Sequence, residues 1–192
     1  MLVIQEILGY FLIGLIGMLI LAVFYLPIYF LLRKKVPLSR QIAYFMLVVC
    51  VVVILSATVF ISVFGRLSGG VGIFAKRHFL NIIPFRFLTK AWEMSAEKKF
   101  TQEIANVIMF IPLGFVFPIA FKKGRKFWKT AICMITFSFL IEFVQYFIGR
   151  SADIDDIILN TLGGVLGYFI FYIFSRLFRN KKFWKKLNGI SL

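Results

Sequence analysis

Residues 142–167 read EFVQYFIGRSADIDDIILNTLGGVLG, and this stretch decides what kind of chain it belongs to. It lies between apolar runs, yet it carries Glu142, Arg150, Asp153, Asp155 and Asp156. Asp153, Asp156, Asn160, Gly163 and Gly167 follow at intervals of three and four, the spacing that puts side chains on one face of a helix. That face bears two carboxylates, an amide and then two glycines, where a second backbone can approach. Glu142 and Gln145, three apart, close the preceding helix at the same end. Polar groups at the edge of a membrane segment are costly unless paired or hydrated, which makes this stretch a candidate functional site.

The rest of the chain fits a membrane setting. Of 192 residues, 61% are apolar and 16% charged, against about a quarter charged in soluble domains. Mean hydropathy is +0.92. Five runs reach or approach the roughly 20 apolar residues needed to cross a bilayer: 7–32, 42–64, 104–121, 127–148 and 157–178. The expected fold is therefore all-α, a polytopic helix bundle of about five spans forming a single membrane domain over 1–192. Pro112 and Pro118 are expected to kink the third span. The first run is too long for the core of a cleaved signal peptide and is expected to stay as a helix.

A net charge of +15 would suit a nucleic-acid partner if the charge were spread over a soluble surface. Here it falls in short blocks between apolar runs, the pattern of cytoplasmic loops, and no nucleic-acid partner is expected. Arg33, Lys34, Lys35 and Arg40 follow the first span. Lys122, Lys123, Arg125, Lys126 and Lys129 separate the third from the fourth. Arg176, Arg179, Lys181, Lys182, Lys185 and Lys186 follow the fifth, opening a basic cytoplasmic tail over 179–192. Placing these blocks inside puts the N-terminus outside and the C-terminus inside. The loop 65–103 then faces outward, with Gly69, Gly70 and Gly72 marking a turn-rich part. A short interfacial helix anchored by Trp92 is expected within 87–100. Asn81, Glu103, Asn106, Glu142, Gln145, Arg150, Asp153, Asp156 and Asn160 would gather at that outer surface.

Several chemistries compete for these groups. Asp153 at the helix start suits an N-cap, with Asp155 and Asp156 offsetting the helix dipole. Carboxylates beside an amide also suit a divalent cation. The preferred reading is a pocket in which Arg150 meets a carboxylate and the ligand-binding set is Asn81, Asn106, Glu142, Gln145, Arg150, Asp153, Asp156 and Asn160. Were the protein an enzyme, Glu142, Asp153 and Asp156 would be its candidate acid, base or metal ligand. No nucleophile and base pair stands out, and no cofactor or resident metal is expected. Gly163 and Gly167 are assigned to close helix packing. Cys50 and Cys133 read as small buried hydrophobes, and His78, the single histidine, as a solvated loop residue.

One resemblance covers residues 81–167. Asn81-Ile82-Ile83-Pro84-Phe85, the run NVIMFIPLGF from Asn106 to Phe115 with Pro118 beyond, Glu142-x-x-Gln145, and Arg150-x-x-Asp153-x-x-Asp156-x-x-x-Asn160-x-x-Gly163-x-x-x-Gly167 together resemble the VanZ-like family. The resemblance implies a multi-pass cell-membrane protein linked to resistance to teicoplanin-type glycopeptides. It directs attention to a membrane lipid or a lipid-linked cell-wall precursor as partner. The expected function is to bind or shield such an anionic molecule, with Arg150, Arg86 and His78 as positive groups. A membrane enzyme acting on a lipid-linked phosphate and a small transporter are the alternatives.

Overall fold

The apolar runs become helices because lipid offers backbone N–H and C=O groups no partners, so each span must satisfy them internally. The computed structural model describes residues 2–60, 63, 80–86 and 96–187. In chain order it contains α1 (Leu2–Leu32), α2 (Leu38–Leu55) running into a π-turn (Ser56–Phe60), β1 (Leu80–Asn81) and α3 (Ala96–Ala120). A 3₁₀ turn (Lys122–Arg125), α4 (Phe127–Phe147), β2 (Ala152–Asp153), α5 (Ile154–Leu177) and a short α6 (Lys182–Leu187) follow. Four helices are long and apolar enough to cross a membrane: Leu38–Phe60, Glu103–Ala120, Phe127–Phe147 and Ile154–Leu177. The described part of α1 adds a shorter apolar segment, Leu15–Leu31. The chain is an all-α membrane bundle. Its outward surface is apolar, with Phe24, Val23, Leu31 and Leu19 well exposed, as lipid contact requires.

Pro112 and Pro118 lie inside α3, which continues through both. The start of the expected interfacial helix, 87–95 with Trp92, lies outside the described residues, as do His78, the glycines 69, 70 and 72, and the tail beyond 187. Residues 96–100 belong to the first turns of α3.

The α3–α5 pair is the most extensive helix contact in the bundle. Glycines make it. A Cβ on Gly163 would collide with the carbonyl of Val107, and one on Gly167 with the carbonyl of Ile111. Gly114 of α3 answers from the other side, resting against the backbone of Gly164. Helix association in lipid rests on van der Waals packing, so small residues that bring backbones together offset the roughly 1 kcal/mol that glycine costs a helix. Around this seam Phe110, fully buried, packs with Leu113, Ile54, Met134 and Ile141. A second cluster, Ala43, Ile119, Tyr168, Phe171 and Trp184, fills the far end.

The helix order segregates charge. All three basic blocks lie at the end where α1 meets α2, α3 meets α4 and α5 meets α6. There Tyr25 donates to Gln41 Oε1 at 2.9 Å and Gln41 donates to the Val36 carbonyl at 2.8 Å, closing the α1–α2 turn. The acidic residues of the described spans lie at the opposite end.

Candidate functional site

The acidic end is built around the connection from α4 to α5. Helix α4 stops because Gly149 adopts a positive φ of 74°. The Gly149 amide donates to the Tyr146 carbonyl at 3.1 Å, and the Arg150 amide donates to the Gln145 carbonyl at 2.9 Å. This is the glycine-terminated Schellman arrangement, and it sets Arg150 directly over Gln145. Both side chains then reach one acceptor in α2's π-turn. Gln145 Nε2 and an Arg150 guanidinium nitrogen each donate to the Thr58 carbonyl at 3.0 Å. A carbonyl has two lone pairs, so one oxygen can serve both donors.

Beyond Arg150 the chain extends into β2, and Asp153 caps α5 by accepting from the Asp155 amide at 3.0 Å. The Asp153 amide donates to Glu142 Oε2 at 3.0 Å, so a carboxylate of α4 holds the residue that starts α5. Strand β2 pairs in parallel with β1, Leu80 opposite Ala152 and Asn81 opposite Asp153. Asn81 Nδ2 donates to Asp153 Oδ1 at 2.7 Å. Phe85, held at φ 63°, donates its amide to Asp155 Oδ1 at 2.6 Å. Segment 80–86 is thereby stitched to the head of α5 at two points.

The residues expected to form one pocket sort into distinct groups. Asn81, Glu142 and Asp153 share a groove of about 520 Å³. Asn106 and Asp156 meet between α3 and α5, with Asn106 Nδ2 donating to Asp156 Oδ1 at 3.0 Å. Asn160, one turn deeper and 2% exposed, donates to Ser138 Oγ of α4 at 2.9 Å. Its carbonyl oxygen is buried without a partner. Gln145 and Arg150 form the brace to Thr58 described above. The capping role falls to Asp153, while Asp155, 2% exposed, receives the loop amide. Among the described residues, no three Asp, Glu, His or Cys side chains converge as a metal-binding group.

The groove has a polar floor and an apolar wall. Phe139, Phe143 and Phe147 of α4, each about half exposed, line it with Ile157 of α5 and Leu80 and Ile82 of the loop. Phe143 and Phe147 rings are 4.8 Å apart and Phe139 and Phe143 rings 6.2 Å, a ladder along one helix face. Its sequence signal was phenylalanine at every fourth position of FSFLIEFVQYF, easily read as lipid-facing filler. Ser138 gave a weaker signal, as one hydroxyl among others in an apolar helix, and the Thr58 carbonyl gave none.

Comparison with known proteins bears on this same region. A family model described as VanZ/LLP1 matches residues 41–175. The chain belongs to the VanZ/LLP1 family. It is also 33% identical to Protein VanZ of Enterococcus faecium over 104 residues, covering 54% of this chain and 58% of that protein. The chain thus spans under two thirds of that relative. No solved structure matches it. The VanZ/LLP1 match takes in α2 to α5, so the groove floor at Glu142 and Asp153, the Thr58 brace and the glycine seam all lie inside the family region.

Proposed function

We propose that the groove at the acidic end seats a membrane lipid or lipid-linked cell-wall precursor, binding or shielding it from the medium. The observation that carries this reading is the pairing of an aromatic wall open to lipid with a floor of Glu142, Asp153 and Asn81. A lipid chain lies against Phe139, Phe143 and Phe147. Carboxylates and an amide carbonyl accept hydrogen bonds, so the part of the ligand that reaches the floor bears donors, such as sugar hydroxyls or peptide amides. Its phosphate stays outside the groove, where Arg86 is the basic residue of the described 80–86 loop. Arg150 acts from behind by holding the end of α4 to α2. Similarity to Protein VanZ supports a link to glycopeptide response through the precursors that such antibiotics engage.

The test pairs Glu142→Gln with Asp153→Asn. Each substitution keeps an acceptor oxygen in place, for the Asp153 amide in the first case and the Asp155 amide in the second. Abundance and folding therefore stay near wild type. Capture of a lipid-linked precursor by purified protein should fall at least tenfold in each, and any teicoplanin protection of the host should fall with it. Full capture and protection by both variants at normal abundance would overturn the reading. Turnover of the precursor by wild-type protein would replace binding with catalysis and make Glu142 the first acid–base candidate.

A further inference from the structure

The opposite end of the bundle holds a second cavity, of about 320 Å³, within the roughly 300–1,000 Å³ range of small-molecule sites. It lies where the 3₁₀ turn, the end of α5 and α6 meet, and Arg125, Arg176, Arg179, Tyr172, Ser175 and Trp184 line it. Trp184 is 7% exposed and packs on Phe171 and Phe178, pinning α6 back against α5 to form one wall. Arg125 Nε donates to the Pro118 carbonyl at 3.4 Å, and its own carbonyl accepts from Tyr168 Oη at 2.8 Å, which fixes the turn. Arg176 lies over the Tyr172 ring, 5.2 Å from its centroid, and donates to the Tyr172 hydroxyl at 2.7 Å. Ser175 Oγ is buried without a hydrogen-bond partner.

Charge balance makes this cavity unusual. The chain has eight Asp and Glu residues, and none occurs between Glu103 and Glu142 or after Asp156. The segments that build the cavity therefore supply no carboxylate. Burial, and then the charge of Arg40, lower the pKa of Arg125. Arg176 and Arg179, beside the buried and unpartnered Ser175 hydroxyl and on a segment that carries no acidic residue, make this hollow chemically matched to an anion.

We propose that this cavity binds the phosphate of an anionic membrane lipid headgroup. Guanidiniums match phosphate oxygens with paired N–H donors, and the Tyr172 and Ser175 hydroxyls add shorter-range contacts. The location selects a lipid over a soluble phosphate. Span α5 ends at Leu177, and Leu177 and Phe183 are strongly exposed beside the cavity, as suits residues seated at the boundary of the hydrocarbon. The site is separate from the acidic groove and does not depend on what that groove binds.

Titration calorimetry of the purified full chain in detergent tests this with three probes: short-chain phosphatidic acid, short-chain phosphatidylcholine and inorganic phosphate. Phosphatidic acid should bind at least tenfold more tightly than either of the others. Arg176→Gln combined with Arg179→Gln should weaken it at least tenfold. Lys34→Gln combined with Lys35→Gln, which removes equal charge from the same end away from the cavity, should change it less than twofold. Arg179→Gln alone, at an exposed side chain, should weaken binding with an unchanged melting temperature. That variant guards against loss of fold in the double variant. Equal weakening by both double variants would show diffuse attraction and overturn the site. Inorganic phosphate or phosphatidylcholine binding as tightly as phosphatidic acid would overturn the lipid assignment. An unchanged affinity in Arg179→Gln and the arginine pair would overturn both.

Discussion

The two ends of this bundle handle charge in opposite ways. At the acidic end each aspartate is tied to the protein: Asp153 to Asn81 and the head of α5, Asp155 to the Phe85 amide, Asp156 to Asn106. The bonds to Asn81, Phe85 and Asn106 join segments 50 to 72 residues apart in sequence. At the basic end the segments from 122 to 129 and from 172 to 187 contain no acidic residue. One end uses carboxylates to tie distant segments together, and the other gathers basic side chains on segments that carry no acidic residue. The difference follows from what each charge can reach. Short carboxylates at a helix start find backbone amides close by, whereas long basic side chains at a helix end extend to the membrane surface.

The contrast is broken most completely by topology. With Cys50 and Cys133 replaced, Ser151→Cys and Lys123→Cys each offer one exposed thiol, at the acidic and basic ends respectively. An impermeant reagent on intact cells should label position 151 and spare position 123, as the basic blocks require. Labelling of 123 alone would invert the orientation, and labelling of both would show that the ends do not lie on opposite sides.

The glycine seam is common to both ends, so its loss should damage both. Gly163→Leu and Gly167→Leu should give little or no folded protein in detergent. Even Gly163→Ala drives a Cβ into the Val107 carbonyl and should cost at least about 1–3 kcal/mol. Leu166→Ala, on the exposed face between them, is the control. Normal thermal stability in the leucine variants would remove α3 and α5 from close contact.

A smaller effect separates the ends directly. Asp155→Ala removes a buried carboxylate that accepts the Phe85 amide, and hydrogen bonds to charged groups contribute about 1.5–3 kcal/mol. Lys182→Ala at the basic end should stay within about 0.5 kcal/mol of wild type. Equal losses in thermal unfolding would erase the contrast in how charge is used. The finest test is at the cap. Asp153→Ala should cost about 1 kcal/mol, and Asp153→Asn much less, because asparagine caps nearly as well as aspartate. A large loss in Asp153→Asn would mean that charge at Asp153, rather than an acceptor oxygen, holds α5 in place.

The sequence by itself determined the class of protein and much of its local detail. Apolar length required membrane helices, because backbone groups in lipid have no other partner. The three-and-four spacing put Asp153, Asp156, Asn160, Gly163 and Gly167 on one face, and all five look into neighbouring elements rather than lipid. Gly163 and Gly167 could be read as packing residues, since small side chains at that spacing have few other uses in a membrane helix. What only the tertiary structure decided was which neighbour each polar group meets. Periodicity defines a face but not the helix packed against it. Asp156 therefore found Asn106, Asn160 found Ser138, and Arg150 met Gln145 on the Thr58 carbonyl, an acceptor with no mark in the sequence. The pairing of Leu80–Asn81 with Ala152–Asp153 joins two-residue strands from opposite sides of two membrane helices, too short to leave a pattern in sequence. The groove arises in the same way, because its floor and walls come from α4, α5 and that distant loop, and only their packing creates the space between them.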